Sequence, residues 1–577
     1  MTDIRRTILW VVFTMSLILL WDGWQKYNGH ASMFAPSAPK AVQASASSPA
    51  GAASSAAPTM ASAASAAEGA ASGPAAALPI EPVRIRTDVL DVTLSTQGGT
   101  IVRAELPQYL DNPEPELFDP IMQAVGLKKK VDVLHPPIVL MDTQRGYAAQ
   151  TGLLGAKGEA LPTHMTVLKA LPGERELKDG QDQLVVKMES PEVGGVKLIK
   201  TFTFKRGDYV VGVRHEIVNT GTAPITPQLY LQLVRDGHEI KSGPSMAPSA
   251  FTGPAVYSEA GKFHTLKFKD IDEGKVDIAK QANDGWVAMI QHYFTSAWLP
   301  ESKGEREFFV QKVAGSNPQL YRVGMLFTLP QLAPGASESQ DDRLFIGPQE
   351  ENKLAALAPN LQLVKDYGIF KALSQPLFWL LDHLHKLIGN WGWAIIALVV
   401  LLKIAFYWLN ASAYRSMGKM KAVAPRIQAL NERFKDDPAG KQQEMMRIYR
   451  EEKINPLGSC LPILVQMPFF MGLYWVLLSS VEMRGAPWLG WITDLSQRDP
   501  YFILPLIMMA SSLVQTWLNP TPTDPVQAKM MWIMPVMFGV MFFVFPSGLV
   551  LYWLTNNLLT IAQQWFINRQ LGVNGKG

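Results

Sequence analysis

Hydrophobic positions fall along this chain in three regimes. A short apolar run, Thr7–Trp24, follows Arg5 and Arg6. Between Glu81 and about Pro348 apolar and polar residues alternate in short runs such as Val196–Phe204, Tyr209–Val218, Gln228–Val234 and Gln319–Leu329, with Gly, Pro, Asp or Asn between them. Period-two alternation of β-branched and aromatic residues marks half-buried strands. Many such strands with no long helix between them predict a large all-β sandwich over residues 81–350. At about 270 residues it is large enough to bury a core without disulfides.

After Phe370 the period changes. Leu377, Leu380, Leu381, Leu384, Leu387 and Ile388 recur at spacings of three and four opposite Asp382, His383 and Lys386, with Pro376 near the start. This predicts an amphipathic helix over 370–390 that lies in a membrane interface rather than crossing it. Long apolar segments follow at 391–410, 459–481, 501–518, 530–545 and 549–567. About 20 apolar residues suffice for a helix to cross a bilayer. With the first run, the expected architecture is a polytopic α-helical membrane protein of six spans carrying one large all-β domain.

Composition divides the chain further. Residues 25–80 are dominated by Ala, Ser, Pro and Gly and read as a flexible tether. The first run, 1–24, is a signal peptide or an uncleaved anchor; its length through Trp24 and the lack of a clean cleavage site favour the anchor. A net charge of +3 is too small to argue for nucleic acid as a partner. The single cysteine, Cys460, excludes an intramolecular disulfide. His383 and His385 are not at metal-ligand spacing, no Walker A sequence occurs, and no cofactor is expected.

Charge sets the expected topology. Residues 411–457 carry Arg415, Lys419, Lys421, Arg426, Arg433, Lys435, Lys441, Arg447, Arg450 and Lys453, and the positive-inside bias assigns them to the cytoplasm together with Arg5 and Arg6. The β-domain is then periplasmic, and the tail 568–577, with Arg569 and Lys576, is cytoplasmic. Met417, Met420, Val423, Ile427, Leu430 and Phe434 recur every three or four residues before Lys435–Gly440 breaks the pattern, which predicts a helical hairpin. Its charges are a solvated face and a topology signal, and its methionines offer an adaptable surface for apolar segments.

Within this apolar background Lys403 is the anomaly. It stands among Leu401, Leu402, Ile404, Ala405 and Phe406, about 12 residues from the start of its segment, roughly 18 Å along a helix and thus towards the cytoplasmic side. A lysine there either snorkels to the headgroups or faces a hydrated interior. Gln466, Ser511, Ser512 and Gln515, and the stripe Tyr552, Asn556, Thr560 and Gln563 flanked by Trp553, Asn557 and Gln564, could share that interior. One such stripe serves to bond helices together, whereas several beside a lysine favour a hydrated cavity. Acidic residues are absent from these spans apart from ends such as Glu482, which counts against an ion-coupled transporter. In the β-domain, Gly285–Pro300 concentrates Trp286, His292, Tyr293 and Trp298; strand and core roles are the expected ones, with a sugar or peptide cleft as the alternative.

The stretches Asn390–Gly392 (NWG), Gln443–Met446 (QEMM), Asn455–Cys460 (NPLGSC), Pro462–Pro468 (PILVQMP), Asp499–Pro505 (DPYFILP), Pro520–Pro525 (PTPTDP) and Phe545–Tyr552 (FPSGLVLY) closely resemble the YidC/Oxa/Alb family of membrane protein insertases, and Gly285–Pro300 resembles its Gram-negative members. The resemblance implies a periplasmic β-supersandwich of galactose-mutarotase-like shape and a five-helix core around a hydrophilic groove open to cytoplasm and lipid. It implies insertion and folding of inner-membrane proteins, with the Sec translocon (SecYEG, SecD and SecF) and independently of it, without covalent chemistry or ATP hydrolysis. Nascent membrane proteins and membrane lipids are the implied partners, and the ribosome is a further candidate left open by so short a tail. The groove's cation, usually arginine, falls on Lys403, a point charge without a planar fork. Substrate contacts fall on Tyr552, on Trp553 in place of a more usual tyrosine, and on Phe470; Val399 replaces a threonine found in some members. The expected groove residues are thus Lys403, Gln466, Phe470, Ser512, Gln515, Tyr552, Trp553 and Asn556.

Overall fold

The computed structural model of the chain describes residues 79–111, 122–123, 135–238, 250–434, 437–452, 461–519 and 525–570. The run with Arg5 and Arg6, almost all of the tether, Lys435, Lys453, Asn455–Cys460, the segment 520–524, Lys576 and the rest of the tail beyond Gln570 lie outside the described residues, as do the side chains of Met417, Met420 and Lys421.

Short alternating runs build two nine-stranded sheets, and every ladder between their strands is antiparallel. Val196–Lys205 pairs with Val210–Asn219, Phe204 opposite Val211, through a turn in which Gly207 takes a left-handed φ of 67°. Along the first of these strands burial alternates, so that Val196, Leu198, Lys200, Phe202 and Phe204 point inward. Lys200 sits in this apolar register with its ammonium donating to Gly98 O, Thr151 O and Thr151 Oγ1 at 2.6–2.8 Å. Three donors meet three acceptors, which offsets the cost of burying them. Trp286 and Trp298 of Gly285–Pro300 are core residues, their indoles donating to Pro359 O and Gln232 O. His292 and Tyr293 leave the core at the turn between Trp286–Ile290 and Phe294–Pro300 and border an open cleft of ≈ 1790 Å³ with Arg103, Arg145 and Arg484.

From Lys371 onward the described residues are mainly helical: α1 (Lys371–Ile388), α2 (Trp391–Ala405), α3 (Tyr407–Arg433), α4 (Pro438–Glu451), α5 (Leu461–Ser479), α6 (Ile503–Leu518), α7 (Pro525–Met541) and α8 (Ser547–Gln570). Leu377 and Leu381 of α1, Ile395 and Leu398 of α2, Leu473 of α5, Leu504 of α6 and Val550 of α8 share one apolar cluster. A separate small cluster of Val423, Ile427, Leu430 and Ile448 joins α3 to α4. Among the described residues no single helix is long and apolar enough to cross a membrane by itself.

The segment expected to span as one helix over 391–410 is broken. α2 ends at Ala405 and α3 leaves it at 65°, so the hairpin's first helix starts at Tyr407 rather than after Asn410. Neither proline nor glycine stands between Lys403 and Ala411, so side-chain packing sets the break. Phe406 meets Phe469 of α5 edge-on at 4.9 Å, and buried Asn410 accepts a hydrogen bond from Gln466 Nε2 at 2.9 Å.

Residues 480–502 close over one end of the helices, and three of the sequence motifs fasten them there. Asn390 caps α2 by accepting from Trp393 N–H and donates to Pro487 O. Gly392 lies so close to Trp488 that a Cβ there would stand 2.2 Å from its ring. The buried Asp499 carboxylate accepts from the Trp491 indole, Tyr501 N–H and Leu504 N–H, which anchors the start of α6. Ser547 and Gly548 at the start of α8 donate to Gln497 O and Leu495 O.

Candidate functional site

Lys403 stands in the last turn of α2, just before the break, with its side chain half-buried. An open cleft of ≈ 330 Å³ lies against it, lined by Val399, Leu402, Phe406, Gln466, Phe469, Tyr552 and Asn556. No carboxylate lines this cleft among the described residues. The lysine does have a partner: its ammonium donates to Thr560 Oγ1 on α8 at 2.7 Å. Among the described residues the positive charge meets no opposite full charge in the cleft.

Of the groove residues expected from sequence, Lys403, Gln466, Tyr552 and Asn556 come together around this space. Phe470 and Trp553 form an aromatic group with Tyr552 beside it. Phe470 lies parallel to Tyr552 at 6.1 Å and edge-on to Trp553 at 4.5 Å. Such offset and edge-on pairs give aromatic side chains preferred relative orientations.

Ser512 and Gln515 are not among the lining residues. Asn557 Nδ2 donates to Ser511 Oγ at 2.8 Å and to Ser512 Oγ at 3.3 Å, and Gln564 Nε2 donates to Asn519 Oδ1. The polar residues of α8 therefore divide. Asn556 and Thr560 face Lys403, while Asn557, one residue after Asn556, bonds α8 to α6, and Gln564, four residues after Thr560, bonds α8 to the C-cap of α6. Ser511 and Ser512 serve a helix–helix seam, which corrects their expected place in a shared cavity.

Thr560 and Asn410 extend the expected set. Thr560 was legible as a member of the α8 stripe, four residues beyond Asn556, but its partner depends on how α8 packs on α2. Asn410 gave no signal by spacing, since it acts across the break in the helix.

Chemically the site offers one ammonium, two primary amides, a phenol, a threonine hydroxyl and an aromatic group. These can donate hydrogen bonds and attract negative charge while presenting apolar surface alongside. Among the described residues no group of three or more His, Cys, Asp or Glu stands close enough to hold a metal ion.

The model of the 60Kd inner membrane protein family matches residues 383–574, and that of the YidC periplasmic domain matches residues 122–380. The chain is 52% identical over 99% of its length, and 98% of the relative's, to a membrane protein insertase YidC of Cupriavidus taiwanensis. It is 48% identical over 99% of both chains to a membrane protein insertase YidC of Burkholderia cenocepacia. A crystal structure of an active YidC insertase aligns over 84% of this chain and 94% of its own at 19% identity, with a TM-score of 0.39. Two family models that together cover most of the chain, and relatives of this identity along its full length, establish that the chain belongs to the YidC family of inner-membrane protein insertases.

Proposed function

We propose that the Lys403 cleft is where this insertase receives polar and acidic segments of its substrates as they pass into the membrane. The observation that carries the reading is an ammonium surrounded by amides and hydroxyls, with no carboxylate in its cleft among the described residues. A segment bearing Asp or Glu exchanges its water for these donors and meets the opposite charge on arrival, which lowers the cost of desolvating it. The following apolar span passes Tyr552, Trp553 and Phe470 and leaves sideways into lipid. Binding and release are sufficient, and no covalent step or nucleotide hydrolysis is required of this chain.

The charge pattern supports a topology with Arg5, Arg6, the hairpin α3–α4 and the C-terminal tail in the cytoplasm and the β-sandwich in the periplasm. In that orientation the hairpin is the first part of the insertase that a nascent chain meets. Residues 480–502 cover the opposite end, so the cleft opens to the cytoplasm and to lipid. We infer that the insertase serves small substrates alone and multispanning ones beside the Sec translocon, with the β-domain as the surface that docks its accessory subunits.

Insertion of a small Sec-independent substrate by reconstituted full-length protein tests the reading. Lys403→Arg keeps activity, Lys403→Ala loses most of it and Lys403→Glu abolishes it. A Lys403→Ala protein that is folded, normally abundant and fully active would overturn the charge mechanism. Photocrosslinks from Tyr552 and Trp553 to a nascent span are expected, and strong crosslinks from lipid-facing positions alone would remove the cleft from the pathway.

A further inference from the structure

We infer that Thr560 is a positioning residue for Lys403, holding its ammonium inside the cleft with its two other N–H donors left to the polar lining and to substrate; this rests on the reading of the cleft given above. Thr560 is 6% exposed on α8. Its hydroxyl donates to the Asn556 carbonyl at 2.7 Å, four residues back on the same helix. The single hydroxyl proton is thereby committed, and Oγ1 can meet Lys403 Nζ, 2.7 Å away, only as an acceptor. The polarity of the contact is fixed by the helix, whatever occupies the cleft.

The alternative place for a lysine in the last turn of an apolar helix is the headgroup region, which its flexible stem reaches easily. Thr560 opposes that escape. A β-branched side chain is stiff at χ1, so the acceptor stays where the backbone of α8 puts it. The bond uses one of the three ammonium donors. Tyr552, Asn556 and Gln466 line the same space, so the remaining two donors are shared between these groups and an incoming carboxylate. A single hydroxyl acceptor also suits a compact ammonium better than the broad fork of a guanidinium.

A helical threonine bonded to its own i−4 carbonyl is also a common structural feature, so the test must separate positioning from packing. Full-length protein in proteoliposomes is assayed for insertion of a single-span substrate with an acidic translocated segment, and of the same substrate with each Asp and Glu changed to Asn and Gln. Thr560→Val removes the acceptor at constant shape and slows insertion of the acidic substrate by about tenfold, the scale of one hydrogen bond to a charged group. The neutralised substrate is inserted at the wild-type rate, and Thr560→Ser retains activity on both. In a Lys403→Ala background Thr560→Val has no further effect. If Thr560→Val does not accumulate, Thr560→Ala deletes the same acceptor without an added methyl group.

Equal losses on both substrates, or an undiminished loss in the Lys403→Ala background, would make Thr560 a packing residue and overturn the inference. Wild-type insertion of the acidic substrate by Thr560→Val would also overturn it while leaving the cleft reading intact. Wild-type insertion by Lys403→Ala alone would remove the cleft reading and the inference together.

Discussion

Lys365 and Glu482 meet where the β-sandwich joins the helices. The wholly buried ammonium of Lys365 lies 3.1 Å from Glu482 Oε2, and it also sits 3.7 Å from the centroid of the Phe378 ring on α1. One residue follows the last strand of the sandwich and the other follows α5, so a single ion pair and a cation–π contact tie three parts of the chain together.

Breaking one side of that pair strands the other. Glu482→Gln is expected to cost about 3 kcal/mol, since removing one partner of a buried pair leaves an uncompensated charge. The double variant Lys365→Met/Glu482→Gln should lose less than the single one. Thermal unfolding of the detergent-solubilised protein measures both, and a double variant less stable than Glu482→Gln would contradict the coupling.

Acid should loosen the same junction through His292. Its Nε2 faces Leu478 O at 3.0 Å, and burial pushes its pKa down to about 4. The unfolded chain, with an ordinary histidine near 6.5, binds the extra proton first as pH falls. The stabilisation is therefore complete above about pH 6.5 and is lost as pH drops towards 4. The melting temperature should fall across that window, and His292→Gln, which keeps a donor without the titration, should flatten the slope. An unchanged slope would show that other groups set it.

Gly392 should tolerate no side chain. A Cβ there meets the Trp488 ring at 2.2 Å and its Cβ at 2.7 Å, so Gly392→Ala must push residues 480–502 off the start of α2. The expected cost is about 1–3 kcal/mol, as for other overpacked sites. Protein abundance and protease cleavage within 480–502 report it; wild-type resistance would mean that Trp488 moves freely.

Asn557 separates the seam from the cleft. Asn557→Leu removes its hydrogen bonds to Ser511 and Ser512 and should destabilise the α6–α8 pair by about 1 kcal/mol. Crosslinks from Tyr552 to a nascent span should persist in the folded variant, whereas their loss would tie the seam to the substrate path.

Much of this organisation was legible in the residues because it depends on local period. Alternation along Val196–Phe204 identifies a strand and also puts Lys200 on its inward face, so a buried lysine was there to be read. Spacings of three and four find the hairpin helices and the α8 stripe. The break at Phe406 was hidden because no proline or glycine marks it and the aromatic and amide partners that bend the chain come from α5. The two faces of α8 were hidden for a similar reason. Asn556 and Asn557 are neighbours in sequence, and only the packing of α2 and α6 decides which one meets Lys403 and which one meets serine.

The break also has an electrostatic result. By ending α2 at Ala405, the 65° bend places Lys403 at a helix C-terminus. Aligned peptide groups carry about half an elementary negative charge there. The carbonyl end of α2 thus favours the ammonium where an acidic side chain would otherwise stand, and the N–H end of α3, which starts at Tyr407, offsets that support in part. Peptide carbonyls neither take up a proton in the physiological range nor form a closed ion pair, so the cation is supported while its charge remains exposed to a carboxylate arriving on another chain. A straight helix through Asn410 would withdraw that support and leave the same lysine in the middle of an unbroken apolar rod.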